Sequence, residues 1–169
     1  MSYFIFGSFE LEHDKMLLQQ MKLRLMEKKI YLWLNEEITF YKEIQRMFEE
    51  QTSEGNIRFA LTSENQPCNS SDLLFPFDKY DSDMLFADES RAFYKQCCRE
   101  NLELLIDCLK KIIYSLHIKE LELFVVEGYD NVFHKKVCGI EELKQDMLCQ
   151  IEENMSVDSC IYCIKADII

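Results

Sequence analysis

Glycine and proline are scarce in this sequence, with four glycines and two prolines among 169 residues. Turn-dense β-sandwiches use these residues at many of their turns, so the scarcity disfavours such a fold and favours long helices with a few strands. A long apolar run is also missing. The longest, Ile30 to Leu34, is far shorter than the roughly 20 residues that a membrane helix needs. The apolar start of the chain lacks the basic flank of a targeting signal. We therefore expect a soluble, cytoplasmic protein.

Recognisable catalytic motifs are absent as well. The few scattered glycines cannot form a phosphate-binding loop, and no serine nucleophile elbow occurs. A cysteine–histidine nucleophile pair would need a cysteine beside His13, His117 or His134. His134 and Cys138 are close in sequence, but no oxyanion-forming glycine motif accompanies them. We expect a protein without catalytic activity or a cofactor, and keep a thiol-dependent enzyme as a remote alternative.

The eight cysteines include one CxxC motif, Cys160 to Cys163. Redox CxxC motifs work at a helix N-terminus, where the helix dipole lowers the pKa of a thiol. Here the motif lies in a predicted strand, where residues three apart point to opposite faces. The two sulfurs should therefore diverge, and no second CxxC supplies further zinc ligands. We expect mostly buried, reduced thiols and no metal site.

Hydrophobic periodicity predicts an α+β fold, a small mixed sheet with helices packed on it. Predicted strands cover Tyr3 to Phe6, Asn56 to Thr62, Lys119 to Glu127 and Ser159 to Ile164. The first strand and the third should be buried on both faces, the third as a central strand, and the second on one face only. A short helix should follow Gly139 and present Leu143, Met147 and Ile151 to the core. No strand is predicted between residues 129 and 138.

The stretch from residue 14 to residue 51 has two interpretations. The positions of Leu18, Met21 and Leu25 predict a helix, with Asp14 as its N-cap. Ile30 to Leu34 is either a short buried strand or the middle of one long helix. The strand is favoured because the run is rich in aromatic residues and Asn35 to Glu37 resembles a new helix start. That next helix should carry Ile38, Tyr41, Ile44 and Phe48 on one face.

Both prolines lie in residues 63–87, which we predict to be a long acidic loop within a single domain of residues 1–169. Loops of this length are often functional. The longest helix should follow, over residues 88–116. Its core-facing positions recur every three or four residues: Tyr94, Cys98, Leu102, Leu105, Leu109, Ile112 and Leu116.

The formal net charge of −12 is unevenly distributed. Residues 54–90 hold eight acidic and two basic residues, and residues 120–158 hold ten acidic and three basic ones. Between them, residues 91–119 hold three acidic and six basic residues. Such a charge repels nucleic acids and anionic membranes and attracts a basic protein. Simple solubility is the alternative explanation.

Two segments are candidates for contact with a basic protein. In the loop, aromatic residues alternate with carboxylates, a mixture that suits a protein interface. At the end of the strand that closes at Glu127, Gly128 is followed by a tyrosine and an aspartate. Alternatively, the loop aromatics fold back onto the core and the strand ends in a plain turn. The predicted contact residues are Asp72, Asp78, Tyr80, Asp81, Asp83, Asp88, Glu127, Tyr129 and Asp130.

The last third of the chain resembles the immunity proteins of contact-dependent and related bacterial polymorphic toxin systems. The likeness is carried by the run Leu121 to Asp130, the helix over residues 141–153, and Ser159 to Tyr162. It implies a cognate partner, usually a basic nuclease-like toxin domain that an acidic protein blocks. The leading hypothesis is therefore a toxin-neutralising binding protein. An adaptor, or a subunit that pairs with its own copy, is the alternative from another class.

Overall fold

The computed structural model describes residues 3–11, 15–39, 42–66, 73–74, 88–127 and 134–167, apart from the side chain of Glu43. These residues form four α-helices and a six-stranded mixed sheet, so the predicted α+β class is confirmed. The elements, in chain order, are β1 (Tyr3–Phe9), α1 (Lys15–Glu27), β2 (Tyr31–Leu34), α2 (Lys42–Gln51), β3 (Ile57–Thr62), α3 (Asp88–Ser115), β4 (Glu120–Glu127), β5 (His134–Cys138), α4 (Ile140–Asn154) and β6 (Cys160–Lys165).

The strand order is β2-β3-β1-β4-β6-β5. All neighbouring strands are antiparallel except β5 and β6, which are parallel. β1 and β4 lie in the middle, and their near-continuous apolar runs are buried on both faces. The predicted central position of β4 is therefore confirmed.

The first face of the sheet packs against α1, α3 and α4. Odd-numbered side chains of β1, including Tyr3 and Ile5, share one large cluster with the apolar stripe of α3. The second face carries the alternate side chains, and α2 covers part of it. There Phe48 of α2 joins Phe6 and Phe124 in a smaller cluster. The sheet thus separates two hydrophobic cores.

The helix predicted over residues 88–116 is confirmed as α3, which runs from Asp88 to Ser115. Its buried stripe contains the predicted core positions, and Leu116 is buried just beyond the helix. α4 likewise buries the predicted Leu143, Met147 and Ile151.

Residues 31–34 form a strand, so the helix–strand–helix interpretation of residues 14–51 is confirmed. The prediction that the next helix begins at Asn35 was wrong. Asn35 to Glu37 form a 3₁₀ turn, and Glu37 accepts a hydrogen bond from the backbone N–H of Leu34. α2 begins later, at Lys42, so Ile38 is buried ahead of the helix rather than on its face. Asp14 and Tyr41 lie outside the described residues.

Two strand predictions need correction. β3 is not half-buried, because Ala60 and Thr62 on its second face are also buried. Ala60 packs in the smaller cluster with α2, and Thr62 accepts a hydrogen bond from the Trp33 indole N–H. β5 was missed altogether. Its sequence, His-Lys-Lys-Val-Cys, has only two apolar residues and no alternation. It forms a strand because β6 offers a free edge for parallel pairing, and charged residues are common on such edges.

The scarcity of glycine shows at the helix ends, where side-chain-bearing residues adopt the left-handed conformation. His117, two residues after the end of α3, has a φ of 53°, and Lys29, two residues after the end of α1, has a φ of 60°. After α3, the N–H of Ile118 donates to the carbonyl of Ile113 at 2.9 Å, which is the Schellman arrangement. Glycine is the usual residue at this position because it lacks a Cβ.

Replacing His117 by glycine is therefore expected to stabilise the protein. The left-handed conformation costs a residue with a side chain about 1–2 kcal/mol, and the extra freedom of glycine in the unfolded chain offsets part of that. We expect His117→Gly to raise the free energy of unfolding by about 0.5–1 kcal/mol, measured by urea denaturation. Ser115→Gly, inside the last turn of α3, is the control and should lower it by a similar amount. A destabilised His117→Gly would show that the imidazole makes a compensating contact.

Candidate functional site

The strands β3 and β4 both end at the same end of the sheet, measured along the strand direction. Each is antiparallel to β1, so each runs toward the end at which β1 begins with Tyr3. The chain leaves β3 there at Ser63 and leaves β4 there at Glu127. These are the starting points of the two segments that the sequence proposes for partner contact.

α3 begins at this same end of the sheet. The last turn of α4 leads into β6, whose first residue, Cys160, pairs with Val125 near the end of β4. The first turns of α3 contact that last turn of α4. Lys95 donates to the carbonyl of Glu152 at 2.7 Å, and Arg99 pairs with the Glu152 carboxylate. Asp88, the first residue of α3, therefore lies toward the same end as Glu127.

We call the described carboxylates at this end the acidic rim. They are Glu64, Asp88, Glu89, Glu127, Glu152, Glu153 and Asp158. The lysines and arginines at this end are Arg91, Lys95 and Arg99 in the first turns of α3, Lys28 and Lys29 just before β2, and Lys135 near the start of β5. Arg91 pairs with Asp88, and Arg99 pairs with Glu152. Basic side chains on α3 and beside both edge strands therefore border the carboxylates of the rim.

Tyr3 reports the negative potential of the rim. Its hydroxyl donates to the carbonyl of Val157 at 3.2 Å. Burial raises the pKa of Tyr3 to about 12, and the carboxylates of Glu127 and Asp158 contribute to the increase. Both carboxylates therefore face the same tyrosine, from β4 and from the segment that precedes β6.

A side-chain hydrogen bond fixes the centre of the rim. Ser159 accepts a hydrogen bond from the backbone N–H of Glu127 at 2.8 Å. Ser159 is buried and Asp158 beside it is exposed. This hydrogen bond holds the backbone of Glu127 beside Ser159, the residue that follows Asp158. An ordered backbone beneath the two carboxylates reduces the conformational entropy that binding a partner would cost.

The second acidic segment, residues 120–158, contributes less free charge than its composition suggests. At least five of its nine described acidic residues form ion pairs. The pairs are Glu120 with Lys165, Glu122 with Lys135, Glu141 with Lys110, Asp146 with Lys136, and Glu152 with Arg99. The basic helix α3 thus neutralises part of the acidic helix α4. Part of the acidic charge that flanks the basic helix in the sequence is therefore neutralised within the protein and is not available to a partner.

The structure describes two of the predicted contact residues. Asp88 is exposed at the start of α3, and Glu127 is half-buried at the end of β4. Topology brings both to the rim. The predicted contact residues that lie outside the described part of the chain are Asp72, Asp78, Tyr80, Asp81, Asp83, Tyr129 and Asp130. Most of the predicted loop over residues 63–87 lies outside it too.

Sequence reasoning missed Asp158 and Ser159 as members of the rim. Their neighbourhood with Glu127 follows from the pairing of β4 with β6, and the two strands are separated by the whole of α4. No local pattern predicts such a pairing. The one available signal was that two apolar runs, Leu121 to Val126 and Cys160 to Ile164, each need a neighbouring strand.

The prediction of mostly buried thiols is confirmed for the cysteines that the structure describes. The seven described cysteines are free thiols, five of them buried. Cys160 and Cys163 of the CxxC motif lie on opposite faces of β6, because Cys160 faces the first core and Cys163 pairs with Glu122 on the second face. Burial raises the pKa of the Cys138 thiol to about 11 and also raises the pKa of Cys160 and of Cys163. These three thiols are therefore protonated, weak nucleophiles at neutral pH.

A cleft of about 560 Å³ lies at the opposite end of the sheet, beside the C-terminus of α3. Tyr114 and His117 line it from the end of α3. Lys119, Glu120 and Asp167 add charges of both signs, so the cleft does not favour a ligand of one charge. Its volume is within the usual range of small-molecule sites.

None of the helices in the described ranges combines the length and the apolar character needed to span a bilayer. Comparison of the chain with known proteins finds no matching family model, no similar curated protein and no similar solved structure.

Proposed function

We propose that this chain is a non-catalytic binding protein that neutralises a basic protein partner, most concretely an immunity protein that blocks a nuclease-like toxin domain. The observation that carries the proposal is the convergence at the acidic rim. Glu127 and Asp88, from two segments 39 residues apart in sequence, lie toward one end of the sheet. A binding surface assembled from separate loops on a rigid sheet is a common arrangement.

The electrostatics of the rim suit a basic partner. Exposed carboxylates of one sign accelerate encounter with a basic protein and exclude acidic competitors. Asp158 and Glu153 are exposed, and neither forms an ion pair among the described residues. The same field opposes nucleic-acid phosphates and anionic lipid headgroups, so we propose that the protein acts on a toxin directly and not on the toxin's substrate.

The test uses as the partner a basic protein that co-purifies with this chain or is encoded by a neighbouring gene. Glu127→Lys combined with Asp158→Lys is expected to weaken binding by about 100-fold, since close charge pairs across an interface contribute roughly 1.5 kcal/mol or more each. Isothermal titration calorimetry would measure the two dissociation constants. Inhibition of the partner's nuclease activity should fall in parallel.

The control is Glu10→Lys combined with Glu54→Lys. Both glutamates are exposed and lie at the opposite end of the sheet, after β1 and before β3. The control changes the net charge by the same amount and should weaken binding no more than about threefold, through long-range attraction alone. Equal losses in the two double variants would mean that only the net charge matters, and the rim would then not be the binding surface.

A second candidate function, a subunit that associates with its own copy, is favoured by exposed apolar side chains. Leu23 and Met26 project from the outer side of α1, and Leu104 projects from α3. Apolar contacts are insensitive to salt. Light scattering that shows a dimer at about 0.5 M salt, where the Debye length is about 4 Å, would favour this function over the electrostatic one.

A further inference from the structure

A polar row crosses the second face of the sheet, beyond the area that α2 covers. Ser8 of β1 is opposite Glu122 of β4, Glu122 is opposite Cys163 of β6, and Cys163 is opposite Val137 of β5. Residues that are directly opposite in neighbouring strands point to the same face. The row therefore brings a hydroxyl, a carboxylate and a thiol together on one side of four adjacent strands.

Three side chains of this region have the spacing of metal ligands. One carboxylate oxygen each of Glu120 and Glu122 and the Sγ of Cys163 all lie within 4.8 Å of one another. The Cys163 Sγ is 3.9 Å from Glu122 Oε1. Tetrahedral zinc, with Zn–S near 2.3 Å and Zn–O near 2.0–2.2 Å, places such atoms roughly 3.6 Å apart. Small side-chain movements would close the site.

Ser8 is an independent observation that points to a missing ligand. Its side chain is 2% exposed, and its Oγ makes no hydrogen bond to any described residue. A buried hydroxyl without a partner costs about 1–3 kcal/mol, so such groups in native proteins usually have one. Ser8 lies directly opposite Glu122 and projects from the same face. A water molecule on a metal held by Glu122 would supply the partner that its Oγ lacks.

Two lysines now neutralise the carboxylates. Lys135 Nζ is 3.1 Å from Glu122 Oε1, and Lys165 Nζ is 3.0 Å from Glu120 Oε2. The Lys135 side chain is 59% exposed. Exposed ion pairs of this kind contribute only about 0–1 kcal/mol, so a divalent cation can displace the ammonium group into solvent at small cost.

We propose that Glu120, Glu122 and Cys163 form a zinc-binding site with an open fourth position. One thiolate with two carboxylates suits Zn²⁺, whereas Mg²⁺ and Ca²⁺ take oxygen ligands alone. The site is separate from the acidic rim and does not depend on the proposed function. It uses one cysteine of the CxxC motif without the other, because Cys160 faces the opposite core.

Binding involves one proton and no change of oxidation state. The Cys163 S–H bond breaks, its proton passes to solvent, and a bond forms between the thiolate sulfur and Zn²⁺. The metal sheds water molecules as the carboxylate oxygens of Glu120 and Glu122 replace them. Lys135 keeps its proton and turns toward solvent.

The test uses Co²⁺ and Zn²⁺ as probes of the purified full chain. Co²⁺ should produce a thiolate-to-metal charge-transfer band, and Zn²⁺ should abolish the band by competition. Cys163→Ser should abolish it. Glu122→Gln should weaken the affinity by more than the roughly 10- to 100-fold that loss of an outer-shell partner costs. Lys135→Met removes the competing ammonium group and should tighten binding about two- to fivefold.

Cys160→Ser is the matched control, since Cys160 is also buried in β6 but on the other face. It should leave the band and the affinity unchanged. Circular dichroism of each variant establishes that it is folded, and Lys135→Met alters an exposed side chain only. Absence of the band in the wild-type chain, its persistence in Cys163→Ser, or its loss in a folded Cys160→Ser would each overturn the proposal.

Discussion

Gly7→Ala is expected to lower the free energy of unfolding by about 3 kcal/mol, the upper end of the range for an overpacked core. Gly7 lies in β1 at the centre of the sheet, with β3 and β4 on its two sides. A Cβ at this position would lie 2.2 Å from the backbone oxygen of Glu122 and 2.7 Å from the Phe59 ring. The carbonyl cannot move without separating β1 from β4, so the clash has no inexpensive release.

Urea denaturation measures this change, and Gly55→Ala is its control. A Cβ at Gly55 has open space around it, but the φ of +87° strains any side-chain-bearing residue. We expect Gly55→Ala to cost only about 1 kcal/mol. A loss below 1 kcal/mol for Gly7→Ala would contradict the close packing of Phe59 over the centre of β1.

Phe48→Ala is the second substitution with a large expected effect, about 3–5 kcal/mol. Phe48 is fully buried between α2 and the second face of the sheet. Its ring lies edge-on to that of Phe6, with 4.5 Å between the centroids, and 6.0 Å from that of Phe124. Arg58 lies over the same ring at 5.8 Å. Removal of the Phe48 ring leaves a cavity that the stacked Phe6 and Phe124 rings cannot fill.

Met47→Ala, one residue earlier in α2, is the matched control. Met47 is only partly buried against the same cluster, so its truncation should cost about 1 kcal/mol. Both variants are compared by urea denaturation. Similar losses for the two would show that α2 is held by its helix surface as a whole and not by Phe48. Because α2 is not part of the acidic rim, the folded Phe48→Ala protein should retain its affinity for the partner.

The sequence predicted the elements that have a strong pattern of their own. The continuous apolar runs of β1 and β4 indicated strands buried on both faces, and the long periodic stripe indicated α3. β5 escaped prediction because its charged sequence becomes a strand only through the neighbouring β6. β3 was assigned one exposed face because its alternation does not reveal that α2 returns to cover the other.

The candidate site could be predicted only where side-chain chemistry marked it. Asp88 and Glu127 stood out beside acidic and aromatic residues in sequence. Asp158 did not, because its neighbourhood with Glu127 depends on the pairing of β4 with β6 across α4. Strand order depends on non-local contacts that no local pattern contains. For the same reason the row from Ser8 to Cys163 could be found only in the folded protein.

The central claim, that the acidic rim binds a basic protein, is tested most directly by the salt dependence of affinity. The dissociation constant for a basic protein that co-purifies with this chain or is encoded by a neighbouring gene would be measured from about 0.05 to 0.5 M salt, over which the Debye length falls from about 14 to 4 Å. The wild-type chain should bind progressively more weakly, and the Glu127→Lys, Asp158→Lys variant should lose most of that dependence. A tight complex whose affinity is unchanged across the series and in the variant would contradict the account.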